Sequence, residues 1–418
     1  MVGATVTTIL AGRQRPRRER HENEQWKDAL PPRGRGGSVM DHRPNRTGLR
    51  CTRSAPHNAA ELGMNARRIL GALAAVGLGS LAGVGVMLRP RPLIDYRPAP
   101  TPAISDVVAF HEAKVAESLS AGVFEGRTER LVLHRASGSD VVFLYLHGFS
   151  ASRGEGEYVV DILTAEWSAN TWYARLPGHG GPGAALGTAP AEAYFDTVTE
   201  AVAMAGRLGD KVVVIATSTG ATLALWAAAT YPDQIDALIL SSPLIDFADP
   251  KGKLLLGGAH SEWLVEKILG ENRDLRERLP GGAFPNYDAE PWMKQYPSKA
   301  VLHLEDVRAF AARPSIFTAV EQPTLMFYYY ADDAHQDETI DITAARDAFS
   351  QLNGGSPHAQ SRSIAIRHGE HVLFSAHKAS DKDTILAECR NFLREVVGLP
   401  ARERALRADT SPDGPPPG

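Results

Sequence analysis

The stretch 211–231, KVVVIATSTGATLALWAAATY, constrains this chain more than any other. Residues 212–215 form a continuous β-branched run, the pattern of a strand buried on both faces. Residues 221–231, rich in Ala and Leu, read as a helix. Between them stands only Ala216-Thr217-Ser218-Thr219-Gly220, so a strand must turn straight into a helix with Ser218 at the bend. Such a bend lifts a serine Oγ above the strand ends. It also aims the first N–H groups of the helix at any oxygen that gains negative charge beside it. Small residues on either side let strand and helix approach closely, and Ala216 stands where the G-x-S-x-G pattern has a glycine. Ser218 is the candidate nucleophile.

The rest of the chain supplies the sheet that this strand needs. Helical spacing over 107–119 leads to strands at 130–134 and 141–146, the second ending in His147-Gly148-Phe149-Ser150. A short strand at 171–175 ends in Leu176-Pro177-Gly178-His179-Gly180, and a helix over 191–208 leads into the Ser218 strand. Strands follow at 237–240, 324–330 and 363–366, with helices around 344–352 and from about 382 to 397. Alternating strands and helices predict an α/β fold with a mostly parallel central sheet covered by helices on both faces. Active residues then belong at the carboxyl ends of strands. The rhythm breaks over about 244–320, where Trp263, Tyr287, Trp292 and Tyr296 sit among Pro-Gly punctuation. This insertion reads as a cap over the strand ends.

Outside the domain expected over 104–400 the chain changes character. Residues 1–63 are Arg-rich without apolar periodicity and read as disordered, either an upstream extension of the true start at Met64 or a basic arm. Residues 69–88 carry no charge, long enough at about 1.5 Å per residue to cross a hydrocarbon core. They read as a membrane anchor, with a cleavable signal as the other reading. The heavier Arg load lies before them, so a positive-inside orientation puts the domain outside the cytoplasm. Residues 89–103 hold five prolines and read as an extended linker; 401–418 read as a disordered tail. A net charge of −4 gives no global argument for nucleic acid. Two cysteines, Cys51 and Cys389, build neither a disulfide framework nor a thiolate metal site. No phosphate-binding glycine loop is present.

Five motifs in order, LYLHGFSAS, RLPGHG, ATSTGATLALWAA, DETID and GEHVLFS, carry a family resemblance over about 130–398. The sequence resembles the α/β-hydrolase superfamily, in the branch of monoacylglycerol lipases, carboxylesterases and serine-aminopeptidase-like hydrolases. The resemblance implies an α/β-hydrolase fold with an inserted cap and an acyl-enzyme on Ser218. It implies an oxyanion hole from the backbone N–H groups of Phe149 and Thr219, where losing one donor costs ~10²–10³ in rate. His147 and His179 then orient loops. The base implied is His371, followed by Val372 and Leu373, with His368 as the second candidate. The acid implied is Asp337, followed by Glu338-Thr339-Ile340, with Asp333 as the second candidate. His335 in that acidic loop has no recognised metal spacing and reads with its neighbours as solvated charge. No cofactor or metal is implied. The partners implied are a small acyl ester and, through 69–88, a membrane, with the oligomeric state open. Monoacylglycerols or short-to-medium acyl esters suit an anchored lipase-like enzyme. A peptidase or acyltransferase of the same fold, and an inactive membrane-tethered binding module, are the other readings.

Overall fold

Along the central strands, alternate side chains go to opposite faces, and this alternation sets the layers of the molecule. The computed structural model describes residues 89–277 and 290–398. The expected basic segment, anchor and tail, together with Tyr287, lie outside them. In chain order the strands are β1 (Arg130–Val132), β2 (Val142–Leu146), β3 (Asn170–Tyr173), β4 (Val212–Thr217), β5 (Ala237–Ser241), β6 (Asn272–Asp274), β7 (Gln295–Pro297), β8 (Thr324–Asp332), β9 (His335–Gln336) and β10 (Arg362–Ile366). The helices used below are α1 (Val107–Ser120), α2 (Glu157–Trp167), α3 (Ala191–Ala205), α4 (Thr219–Thr230), α5 (Pro250–Gly257), α6 (Ser261–Leu269), α7 (Ala300–Ala311), α8 (Ile342–Ser350) and α9 (Lys382–Val397).

The main sheet runs β1-β3-β2-β4-β5-β8-β10. Along this path all pairings are parallel except β1 with β3, which is antiparallel at the edge, and β9 adds a short antiparallel partner to β8. Leu144, Leu146, Val214, Ala216, Leu238, Leu240 and Met326 face one apolar layer, with Phe195, Leu223, Trp226 and Phe310 from α3, α4 and α7. Phe143, Tyr145, Val213, Ile215, Ile239, Leu325 and Phe327 face the other, with Leu163 of α2 and Ile385, Cys389 and Phe392 of α9. The fold is thus the expected α/β arrangement, with β4 fully buried at its centre. Burial makes Cys389 a packing residue and pushes its thiol well above the usual range.

Helix starts follow from local chemistry. Asp106 accepts the N–H groups of Val108 and Ala109 at the head of α1, Asp341 that of Ala344 at α8, and Asp381 that of Thr384 at α9. Helix α2 was not foreseen from the sequence, although Val159, Val160, Leu163 and Trp167 make its buried stripe. Between β5 and β8 lie α5, α6, the antiparallel pair β6–β7, and α7. Of these, α7 packs against α3 and α4 in the layer that covers the sheet.

The proline-rich stretch is extended, and it is laid on the domain. Pro90 bridges Gly258 between α5 and α6, and Arg91 forks onto both carboxylate oxygens of Asp306. Tyr96 stacks on Phe195 at 5.1 Å and meets the edges of Trp226 and Phe310 at 6.1 Å. Its hydroxyl donates to Asp196, while Tyr231 donates to the Ala99 carbonyl. Among the described residues no helix is long and apolar enough to cross a membrane.

Tyr96→Ala removes three ring contacts from a half-buried site, so it should cost about 2 kcal/mol. The urea midpoint should fall with an unchanged slope. A change of slope without a change of midpoint would contradict this anchoring role.

Candidate active site

Ser218 links the end of β4 to the start of α4 with φ 54° and ψ −117°. This left-handed conformation is sparsely populated for a residue with a side chain, so its surroundings must hold it. They do so from three sides. The Ser218 N–H donates to the Ser241 carbonyl at the end of β5, and the Thr222 N–H donates to the Ser218 carbonyl at 3.1 Å. Gly220 lies so close to β2 that a Cβ there would stand 2.3 Å from the Leu146 carbonyl oxygen. A side chain at that position would push α4 off the strand. Ala216 is fully buried and paired with Leu146 and Leu240, so its methyl fits the sheet.

The bend carries Ser218 Oγ to 3.0 Å from Nε2 of His371. His371 lies on the loop between β10 and α9, and its Nδ1 is 2.8 Å from Oδ2 of Asp337. A carboxylate only accepts, so Nδ1–H donates to Asp337 and Nε2 is left to accept the Ser218 proton. The other Asp337 oxygen accepts the N–H groups of Thr339 and Ile340 at 2.8 and 3.2 Å. All three side chains are buried. Burial pulls the His371 imidazole down, but the Asp337 carboxylate, with Glu155 and Glu370, overcomes it and raises the pKa above the usual 6.5.

The second candidates stand elsewhere. Asp333 is exposed and accepts from the Tyr330 hydroxyl, and His368 is exposed on the surface. The long acidic loop is explained by strand β8, which runs to Asp332, turns, and returns as β9 against Tyr330. That hairpin delivers Asp337, whose N–H donates to the Tyr329 carbonyl at 3.1 Å. His335 pairs with Asp332 at the exposed tip. The Asp337 turn is clamped from outside as well. Phe247 bridges Ile340, and Lys253 of α5 spans Asp246 and Asp341 at 2.9 Å each.

The loop after β2 completes the site. Phe149 sits beside the bend, its ring edge-on to His179 at 5.8 Å and to Tyr296 at 5.6 Å. Among the described residues, neither the Phe149 N–H nor the Thr219 N–H is spent on a protein acceptor. The two histidines nearby are bound up in the backbone. His147 Nδ1–H donates to the Gly148 carbonyl and its Nε2 accepts from Leu176, while His179 Nε2 accepts from Ser150 and its Nδ1–H donates to Pro177. Burial drives the His147 imidazole down to about 4 and that of His179 well below its usual range, so both stay neutral and hold these bonds.

One residue here escaped the sequence reading. Glu155 is buried, its Oε2 accepting the Gly148 N–H at 2.6 Å and its Oε1 accepting Trp292 Nε1–H at 3.0 Å. Within Arg153-Gly154-Glu155-Gly156-Glu157 it looks like one more solvated charge. The one signal was its short distance along the chain from His147-Gly148. Trp292 and Tyr296 were expected in the cap, and both pack inward against this loop, whereas Trp263 stays 54% exposed.

A model of the serine aminopeptidase S33 family matches residues 138–364, more than half of the chain. The chain belongs to this family of α/β-hydrolases. A curated relative, the pimeloyl-[acyl-carrier protein] methyl ester esterase of Neisseria meningitidis serogroup A, is 26% identical over 293 residues, 64% of this chain and 85% of the relative. A solved structure from the work on LipS and LipT, two metagenome-derived lipolytic enzymes, superposes with a TM-score of 0.50 at 18% identity. It covers 65% of this chain and 99% of that one. At that identity it shows the shared fold alone.

The raised His371 pKa has a direct consequence for stability in this S33-family chain. A folded pKa above the unfolded value means that the ion pair contributes fully below the usual 6.5 and is lost as pH rises through the folded value. The stability difference between wild type and His371→Gln should therefore be largest in mild acid and shrink with rising pH, as read by urea unfolding at a series of pH values. A difference that grows with pH would contradict the assignment of the Asp337 contact as an ion pair.

Proposed function

We propose that the protein is a serine hydrolase of carboxylic esters, working through an acyl-enzyme on Ser218. The observation that carries this reading is the unbroken relay Ser218 Oγ–His371–Asp337, at 3.0 and 2.8 Å. In the reaction, Ser218 Oγ attacks the acyl carbonyl as His371 Nε2 takes its proton. The oxyanion gathers the N–H groups of Phe149 and Thr219. His371 then passes the proton to the departing alcohol, and Asp337 balances the imidazolium in between. Water then gives one proton to the same Nε2 as it attacks the acyl carbon; when the bond to Ser218 Oγ breaks, His371 returns that proton to Oγ and the carboxylic acid leaves.

The substrate class is a small-molecule acyl ester. The curated relative, an esterase of a methyl ester, supports this reading. Among such esters, monoacylglycerols and short-to-medium acyl esters suit a chain with an uncharged stretch of membrane-crossing length at 69–88. That stretch serves as the anchor in this proposal and leaves the domain on the non-cytoplasmic side; a C-terminal reporter active only in the cytoplasm would overturn that topology. The serine aminopeptidase description of the family keeps aminoacyl amides as the second substrate class, to be run beside the ester series.

Fluorophosphonate labelling of the full chain in detergent should give one adduct, on the Ser218 peptide and absent from Ser218→Ala. Asp337→Asn should keep the fold and lower kcat by about 10³–10⁴, since the amide no longer selects the productive tautomer. An adduct that survives Ser218→Ala, or none on folded wild type, would defeat the reading.

A further inference from the structure

Glu155 has no part in the relay, yet it is buried at its edge. Its two oxygens accept N–H groups from different parts of the molecule, Gly148 in the oxyanion loop and Trp292 in the cap. A Cβ placed on Gly148 would lie 3.1 Å from both Glu155 oxygens and 3.2 Å from Ser218 Cβ, so carboxylate and serine flank the same glycine. The bond to Trp292 is one of three in succession along the cap return. Ser152 Oγ donates to the Pro291 carbonyl, Trp292 Nε1–H donates to Glu155, and the Met293 N–H donates to the Ser150 carbonyl. Trp292 also packs on Ala151 and on Val372, next to His371.

We propose that Glu155 is a positioning residue of this site, whose carboxylate ties the oxyanion loop at Gly148 to the cap at Trp292 and stands as a second negative charge for His371. The proposal rests on the serine-hydrolase reading of Ser218. Its physical basis is that Gly148 immediately precedes Phe149, the donor residue, so the bond to Glu155 fixes where that N–H points. An apolar residue of the same volume would pack as well but would leave two buried N–H groups unpaired.

The groups that face this carboxylate come from four elements. Tyr145 projects from β2, the Gly148 N–H from the oxyanion loop, Trp292 from the cap, and His371 from the loop before α9. Lys294 and Lys378 lie over the Trp292 ring at 5.9 and 5.7 Å, His377 meets its edge, and Glu370 acts on the same His371. Burial pushes the Glu155 carboxyl up, against the pull of Gly148, Trp292, His371 and Tyr145, to about 7. Glu155 therefore loses its proton at about 7, and in this proposal the competent state needs both it and His371 deprotonated.

The test is the pH dependence of kcat/KM on a soluble ester, and of fluorophosphonate labelling, for the full chain as wild type, Glu155→Gln and Trp292→Phe. Wild type should show an acidic limb that steepens toward a slope of about two, the mark of two ionisations. Glu155→Gln should flatten it to about one and lower kcat about tenfold at the plateau, with KM little changed, since the lost interaction acts on the transition state. Trp292→Phe keeps the ring but removes one donor to the carboxylate, so one ionisation should move to higher pH. His371, followed by imidazole NMR, should titrate at lower pH in Glu155→Gln, and this readout needs no turnover. An unchanged limb together with an unchanged His371 titration in Glu155→Gln overturns the proposal. Should Glu155→Gln fail to fold, an unshifted limb in Trp292→Phe overturns it instead. Absence of a Ser218 adduct in wild type defeats the serine-hydrolase reading, and the His371 titration then decides the charge coupling by itself.

Discussion

The positive φ of Ser218 is the constraint on which the rest of this structure depends. A conformation of that kind costs of order 1–3 kcal/mol and persists only where its surroundings over-determine it. Here β4 is fixed between β2 and β5 with every residue buried, and Gly220 brings α4 down onto the carbonyls of Leu146 and His147. The helix cannot start elsewhere without losing that contact. Once the bend is fixed, three things are fixed with it: the direction of Ser218 Oγ, the free N–H at the head of α4, and the closeness of the β2 loop that carries Phe149.

Two buried carboxylates then act on one imidazole, Asp337 by a direct bond and Glu155 by its charge, and the chain solves their desolvation in different ways. Asp337 lies in a tight turn whose Thr339 and Ile340 N–H groups bind one oxygen while His371 binds the other. Its backbone donors are local, built from the next few residues. Glu155 has one backbone donor from Gly148, and its second, an indole N–H, arrives from residue 292, far along the chain. A carboxylate whose donors are assembled by tertiary contacts is satisfied only when those contacts are made. Asp337 is thus set by the hairpin, whereas Glu155 reports whether cap and oxyanion loop are together.

The parts legible in the sequence were those with local physical signatures. The β-branched run 212–215 and the Ala-rich helix forced the bend at Ser218, and apolar runs located the strands of the parallel sheet within a residue or two. Asp337 and His371 were found through order and motif, and their meeting across 34 positions is a tertiary fact that no window of sequence contains. Helix α2 went unread although its stripe was present, because Glu157, Asp161 and Glu166 break the run of apolar residues. Glu155 went unread for a stronger reason. Its neutral-looking context of Gly and Arg resembles a solvated turn, and its burial comes from Trp292 and Tyr145, which pattern reading does not connect to it.

The same logic changes what the cap is. Aromatic residues in an insertion invite the picture of a greasy pocket, yet Trp292 and Tyr296 are spent on the loop beneath them. Residues 291, 292 and 293 each bond a different residue of the oxyanion loop, so a displacement of the cap return by one residue would break all three bonds at once. The proline-rich stretch is tied to the insertion as well, through Pro90 on Gly258 and Arg91 on Asp306. Such coupling ties the insertion to the loop that carries Phe149. Under the proposed function, a substrate that shifts the cap return acts on the Phe149 N–H through the same bonds, which gives the remote part of an acyl ester a mechanical route to the reacting carbonyl.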